Sequence, residues 1–165
     1  MDELPAKPKT DSLAPDSKPG VPAEIFAGPH RVWLEPPDLV CAKLSGDVKP
    51  GHLRTSAEYQ RAVAATTGRI FFLADLSDLG TIDVATRKDV GHLRTVPYQG
   101  LVIYGASFQA RLLMKMLLSA IRLFSSELDG ILIFAESEAE ARRWIEARRA
   151  TLDATAAQGT APSRE

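Results

Sequence analysis

Apolar residues along the middle of the chain follow two rhythms. In HRVWLE (30–35) and LVCAKLSG (39–46), Val32 with Leu34, and Val40 with Ala42 and Leu44, recur at every second position, and Pro36-Pro37-Asp38 separates the two runs. Alternation interrupted by turn residues predicts a β-hairpin. RIFFLADL (69–76), GLVIYGA (100–106) and ILIFAES (131–137) are instead continuous apolar runs, the pattern of strands covered on both faces. Between these runs the period lengthens to that of a helix. Thr55-Ser56-Ala57-Glu58 fits a capping box opening a helix to about Thr66, with Pro50-Gly51 just upstream. Asp83 suits the N-cap of a second helix, through about Thr95 and ended by Pro97. Ser107 begins a third, to about Ser125, and Ser137 with Glu140 forms a capping box for a fourth that carries Trp144, Ile145 and a run of arginines. Strands separated by helices need crossovers and therefore pair in parallel. The expected fold is α/β: an N-terminal hairpin, then alternating helices and strands, in a mixed, mostly parallel sheet of about five strands with about four helices.

Both ends lack this periodicity. Residues 1–29 are rich in proline, with lysine, aspartate and serine between, and bury too little apolar surface to offset the entropy of ordering, so they are expected to form a disordered tail. Residues 151–165 are small and polar and are expected to form a flexible C-terminal tail, which leaves a single domain over 30–150. The formal charge of −1 divides into an acidic surplus in the tails and a middle of +2. That excess is too small to mark a nucleic-acid binder. The lone cysteine, Cys41, sits in an apolar run where a thiol behaves as a small hydrophobe. With no partner for a disulfide and no apolar signal segment near Met1, the chain reads as cytoplasmic. The most apolar stretch, Leu112 to Phe124, is shorter than a bilayer crossing and contains Lys115 and Arg122, so no transmembrane span is expected.

Candidate chemistry concentrates in FFLADLSDLGTIDVATR (71–87), where an apolar run ends in three aspartates, a serine and two threonines. Asp75 at a strand end, Asp78 before Leu79-Gly80 and Asp83 at a helix start each suit local turn and cap chemistry. Catalysis at an Asp75/Asp83 rim is the competing reading, but no P-loop, nucleophile elbow or HExxH accompanies it, and no enzyme activity is expected. The pentapeptide GHLRT occurs twice, at 51–55 and 91–95. A paired His-x-Arg could hold an anion, although the flanking residues differ and chance repetition explains it as well. His30, His52 and His92 lack zinc-ligand spacing, so neither a metal nor a cofactor is expected.

The order of elements around Asp75-Leu76-Ser77, Leu79 and Ile82-Asp83 resembles the signature of STAS domains, the anti-sigma-factor antagonist family. The succession of strands and helices over 30–150 is also similar to the SpoIIAA-like branch, described as STAS/SEC14 proteins. The resemblance implies a non-enzymatic regulatory module that binds a protein partner, a kinase-type anti-sigma regulator among them, through the loop 77–86 and the neighbouring helix. Asp75, Ser77, Leu79, Asp83 and Thr86 are then the docking residues. Regulatory members carry a phosphorylated serine directly after the conserved aspartate; this chain has Val84 there, which leaves Ser77, Thr81 and Thr86 as candidate phosphosites. The SEC14 side of the resemblance implies the alternative, a lipid or small apolar ligand.

The third helix carries a separate signal. On a helical wheel Arg111, Lys115 and Arg122 fall within an arc of about 40°, while the leucines, methionines and Phe124 spread over about 200°. A helix resting on a sheet needs a narrower apolar stripe, so the surplus is expected to face a neighbouring helix, a partner protein, a second copy in a homodimer, or a lipid surface whose phosphates the three cations would contact.

Overall fold

The computed structural model describes residues 20–122 and 130–159, and their side chains except at 88, 89, 113 and 117–122. Among the described residues, six strands form one sheet in chain order: β1 (Glu24–Ala27), β2 (His30–Glu35), β3 (Leu39–Val48), β4 (Ile70–Ile82), β5 (Tyr98–Tyr104) and β6 (Leu132–Phe134). β1, β2 and β3 pair antiparallel, and β3 through β6 pair parallel. The helices are α1 (Pro50–Thr67), α2 (Val84–Asp89) continuing into a 3-10 turn (Val90–Thr95), α3 (Phe108–Arg122) and α4 (Glu138–Gly159). The chain therefore has the expected mixed α/β architecture, with one strand more than its apolar runs indicated.

The alternation of each central strand divides the core into two layers. Val40, Ala42, Ile70, Ala74, Leu76 and Ile103 turn to the face carrying α1, with Met114 of α3 packed against them. Leu39, Cys41, Phe71, Leu73 and Val102 turn to the opposite face, against Ala141 and Ile145 of α4. Gly100 has a steric reason: a Cβ there would stand 2.7 Å from the Trp144 ring, so the missing side chain lets α4 settle on β5. Cys41 is buried, and burial, with the Glu35 carboxylate nearby, pushes its thiol up to about 12, which keeps it protonated and unreactive.

Three boundaries differ from the sequence expectation. β1 lies inside the segment 1–29 expected to be a tail; its Tyr59 tether, in which the phenol donates to the carbonyl of Pro22 at 2.9 Å, comes from α1 and is invisible to local periodicity. At the other end, α4 continues through the expected tail to Gly159, with Asp153 bonded to Arg69 at 2.5 Å. Finally, α1 starts at Pro50 rather than Thr55, because proline fits the first helical turn and His52 accepts from the Lys49 N–H at 3.2 Å.

Candidate functional site

The stretch that drew attention in the sequence is not a loop. β4 runs on to Ile82, paired with β3 beyond two irregularities, so Ser45 lies opposite Asp78 and Val48 opposite Ile82. The expected docking loop 77–86 is thus a strand end, a cap and the first turn of α2. A second strand alongside supplies the partners for its backbone, which local sequence does not reveal. This extension separates the candidate residues into two groups.

Asp75 and Ser77 belong to the first group, at the C-terminal edge of the sheet. Asp75 lies opposite Tyr104 in register, and its Oδ1 accepts from the Ser77 N–H at 2.9 Å. Lys43 Nζ stands 3.0 Å from Asp78 and 3.8 Å from Asp75; bonding to Asp78 raises the lysine pKa and keeps it charged. Gly105, at φ +72°, turns the chain out of β5, and a Cβ there would come 2.8 Å from Asp75 Oδ1 and 3.2 Å from Ser77 Cβ. Only glycine allows both the left-handed backbone and this approach. The approach places Asp75 and Ser77 against the turn that leads into α3. Ser107 then caps that helix, its Oγ accepting from the Ala110 N–H at 3.2 Å, as the sequence predicts.

On α3 itself, Phe108, Leu112 and Met116 are 82%, 52% and 65% exposed. Their spacing of four residues places them in one row along the helix. Ala110 and Met114 pack toward the core on the other side. Arg111 flanks the row, bonded to Glu136 at 3.3 Å and to the Ala106 carbonyl at 3.2 Å, and Lys115 is exposed with its Nζ 5.9 Å from the Phe134 ring centre. The side chain of Arg122 lies outside the described residues.

Leu79, Asp83 and Thr86 form the second group, directed toward α1 and α2. Leu79 is half-buried and packs against the core. Asp83 caps α2, its Oδ1 accepting from the Thr86 N–H at 2.6 Å, and that bond lowers the carboxyl pKa. Thr86 is fully buried and its hydroxyl donates to the Val48 carbonyl at 2.8 Å. The Thr81 hydroxyl is exposed but donates to Asp47 at 2.8 Å. Each aspartate of the acidic stretch thus serves a cap, a turn or an ion pair, and Asp75 and Asp83 act at opposite ends of the long strand extension. Among the described residues no group of three His, Cys, Asp or Glu side chains is arranged to hold a metal ion.

Behind the second group lies a cavity of about 120 Å³. Its floor is the sheet (Val32, Ala42, Ala74, Ile103), its roof is α1 and the 3-10 turn (Leu53, Leu93), and Met114 of α3 closes one side. Leu79, Ile82 and Thr86 complete the wall. Both GHLRT copies reach it: His52 and Leu53 from the first, Leu93 and Arg94 from the second. The repeat therefore converges on one space, chiefly through its leucines.

A histidine pair at this cavity escaped the sequence reading. His30 Nδ1 accepts from the Ser45 N–H at 3.1 Å, so Nε2 carries the proton and donates to His52 Nδ1 at 3.1 Å. Burial, with His52 beside it, holds His30 below its usual pKa. His52 also rests on Gly28, where an added Cβ would fall 2.2 Å from its Nε2. The pairing joins β2 to α1 across 22 residues of sequence, a distance that local periodicity does not bridge.

No protein-family model matches the chain, and no curated protein matches it. Among solved structures the chain is similar to the anti-sigma factor antagonist SpoIIAA in its unphosphorylated form, at 14% identity and a TM-score of 0.43, over 71% of this chain and 97% of that one. Among the described residues no helix is long and apolar enough to cross a membrane.

Proposed function

We propose that this chain is a non-catalytic, STAS-like regulatory module that binds a protein partner along the outer face of α3 and the adjoining rim of Asp75, Ser77 and Gly105. The observation that carries this reading is the row of Phe108, Leu112 and Met116, exposed on a helix that packs against the core through Ala110 and Met114. Single exposed apolar residues are ordinary, but a row at helical spacing is the contact pattern by which a helix enters a partner's groove. At about 25 cal/mol per Å² of apolar surface removed from water, such side chains are the natural anchors of an interface. Arg111 and Lys115 beside the row select a groove edged with carboxylates. Of the three hydroxyls the sequence singles out, Ser77 is the proposed phosphosite: it is exposed and next to the start of α3, whereas Thr86 is buried and the Thr81 hydroxyl is bonded to Asp47. A phosphate on Ser77 would stand among Asp75 and Asp78 with Lys43 as the counter-charge, and the repulsion would weaken docking.

The test uses the full chain as bait, with the retained proteins identified and the affinity of the strongest measured by titration. Leu112→Glu and Met116→Glu, checked by circular dichroism for an intact fold, are expected to weaken that affinity more than about tenfold each, the loss of one buried apolar anchor. Ser77→Glu is expected to weaken it less. A partner held equally by wild type and both α3 variants rejects this face, and binding to anionic vesicles with no protein partner assigns the row to a lipid surface instead.

A further inference from the structure

We infer that the cavity between the sheet and the α1 and 3-10 roof is a binding site for a small, neutral, apolar molecule about the size of a single substituted ring. This inference stands apart from docking at α3 and rests on different residues. Size sets the first limit: about 120 Å³ is close to the volume of an engineered apolar cavity that admits benzene, and far short of a whole acyl lipid. Chemistry sets the second. The surface facing the space is almost wholly apolar, and the buried polar side chains of the wall are already engaged. Gln60 donates to Ser56 at 2.8 Å and accepts from Tyr98 at 2.5 Å, Thr86 is bonded to the Val48 carbonyl, and His30 is bonded to His52 and Ser45. Among the described residues no buried side-chain nitrogen or oxygen lacks a partner.

These facts decide between occupants. A charged or strongly polar ligand would shed its hydration where the buried polar groups are already paired, and Arg94, the arginine of the wall, is exposed to solvent and offers only a screened contact, so entry is costly. Water needs two or more polar partners to stay, and the wall offers none to spare, so an apolar molecule enters against little competition. A free small molecule and the tip of an acyl chain share this chemistry. The closed polar accounting and the small volume favour the free molecule, because an acyl chain would need an exit for its remaining length and a site for its headgroup.

The probe is toluene, titrated into the full chain and followed by methyl-resolved NMR and by thermal melting, with benzoate as the charged control of equal shape. Toluene is expected to shift the methyl signals of Leu79, Leu93 and Met114 saturably, and at about ten times its dissociation constant to raise the melting temperature by about 3 °C. Benzoate is expected to do neither. Ala42→Leu, which fills the floor, is expected to abolish the toluene shifts; because an overfilled core can fail to fold, the methyl map of the wild type is the second, independent readout. Absence of saturable shifts, shifts confined to Leu112 and Met116 on the outer row, or equal binding of benzoate would each overturn the assignment. So would binding of monomeric lauroyl lysophosphatidylcholine in the cavity by a protein that ignores toluene.

Discussion

At the scale of single residues, the clearest consequence comes from Glu35. Arg142 grips this carboxylate with two bonds, 2.7 and 3.0 Å, and Trp33 donates a third at 3.2 Å. The guanidinium bonds lower the Glu35 pKa from 4.5 to about 2. In acid the unfolded chain then takes up a proton that the folded chain refuses, so the stabilisation is present above about 4.5 and is lost as pH falls toward about 2. Both side chains are more than a third exposed, which places the effect at the modest end for ion pairs. The expected outcome is that the melting temperature of wild type falls more steeply than that of Glu35→Gln over this interval, measured by differential scanning calorimetry. Equal slopes would mean that the pair contributes nothing in solution.

At the scale of elements, the bond from Thr86 to the Val48 carbonyl links α2 to the end of β3, 38 residues earlier in the chain. Thr86→Val keeps the shape and leaves that carbonyl buried without a donor, a change expected to cost about 1–3 kcal/mol. Urea unfolding measures it, and Thr86→Ser, which retains the hydroxyl, is expected to recover most of the loss. The same bond shows where sequence reasoning reached its limit. Periodicity located each central strand and the caps at Asp83 and Ser107, because these follow from spacing and from side chains bonding to near neighbours. It ended β4 too early because the segment after Asp75 is polar, and what keeps it extended is pairing with β3, a distant strand. The exposed row on α3 was foreseeable as a surplus of apolar arc. The cavity was not, since a void is defined by what several strands and helices together fail to fill.

At the scale of the molecule, Asp38 holds the layers together. The sequence marks it only as a turn residue, yet its side chain is buried and bonds Arg69 at 2.5 Å and Arg149 at 2.7 Å. Both guanidiniums also lie over the Phe71 ring, at 5.7 and 5.3 Å from its centre. The hairpin turn, the start of β4 and the middle of α4 thereby meet at one carboxylate. Asp38→Ala would leave Arg69 and Arg149 with their exposed partners Asp153 and Glu146 alone and is expected to cost about 1.5–3 kcal/mol, the range for losing hydrogen bonds to a charged group. Chemical denaturation checks the figure, and a loss below about 1 kcal/mol would mean that water replaces the carboxylate freely. The two-sided character of α3 reaches further. Met114 looks inward to the cavity while Leu112, two positions earlier, looks out to solvent. A guest behind the helix and a protein in front of it would press on the same short rod. Thermodynamic linkage makes any such influence mutual: a guest that tightens the complex about tenfold is itself bound about tenfold more tightly by the complex, so each becomes a sensor of the other.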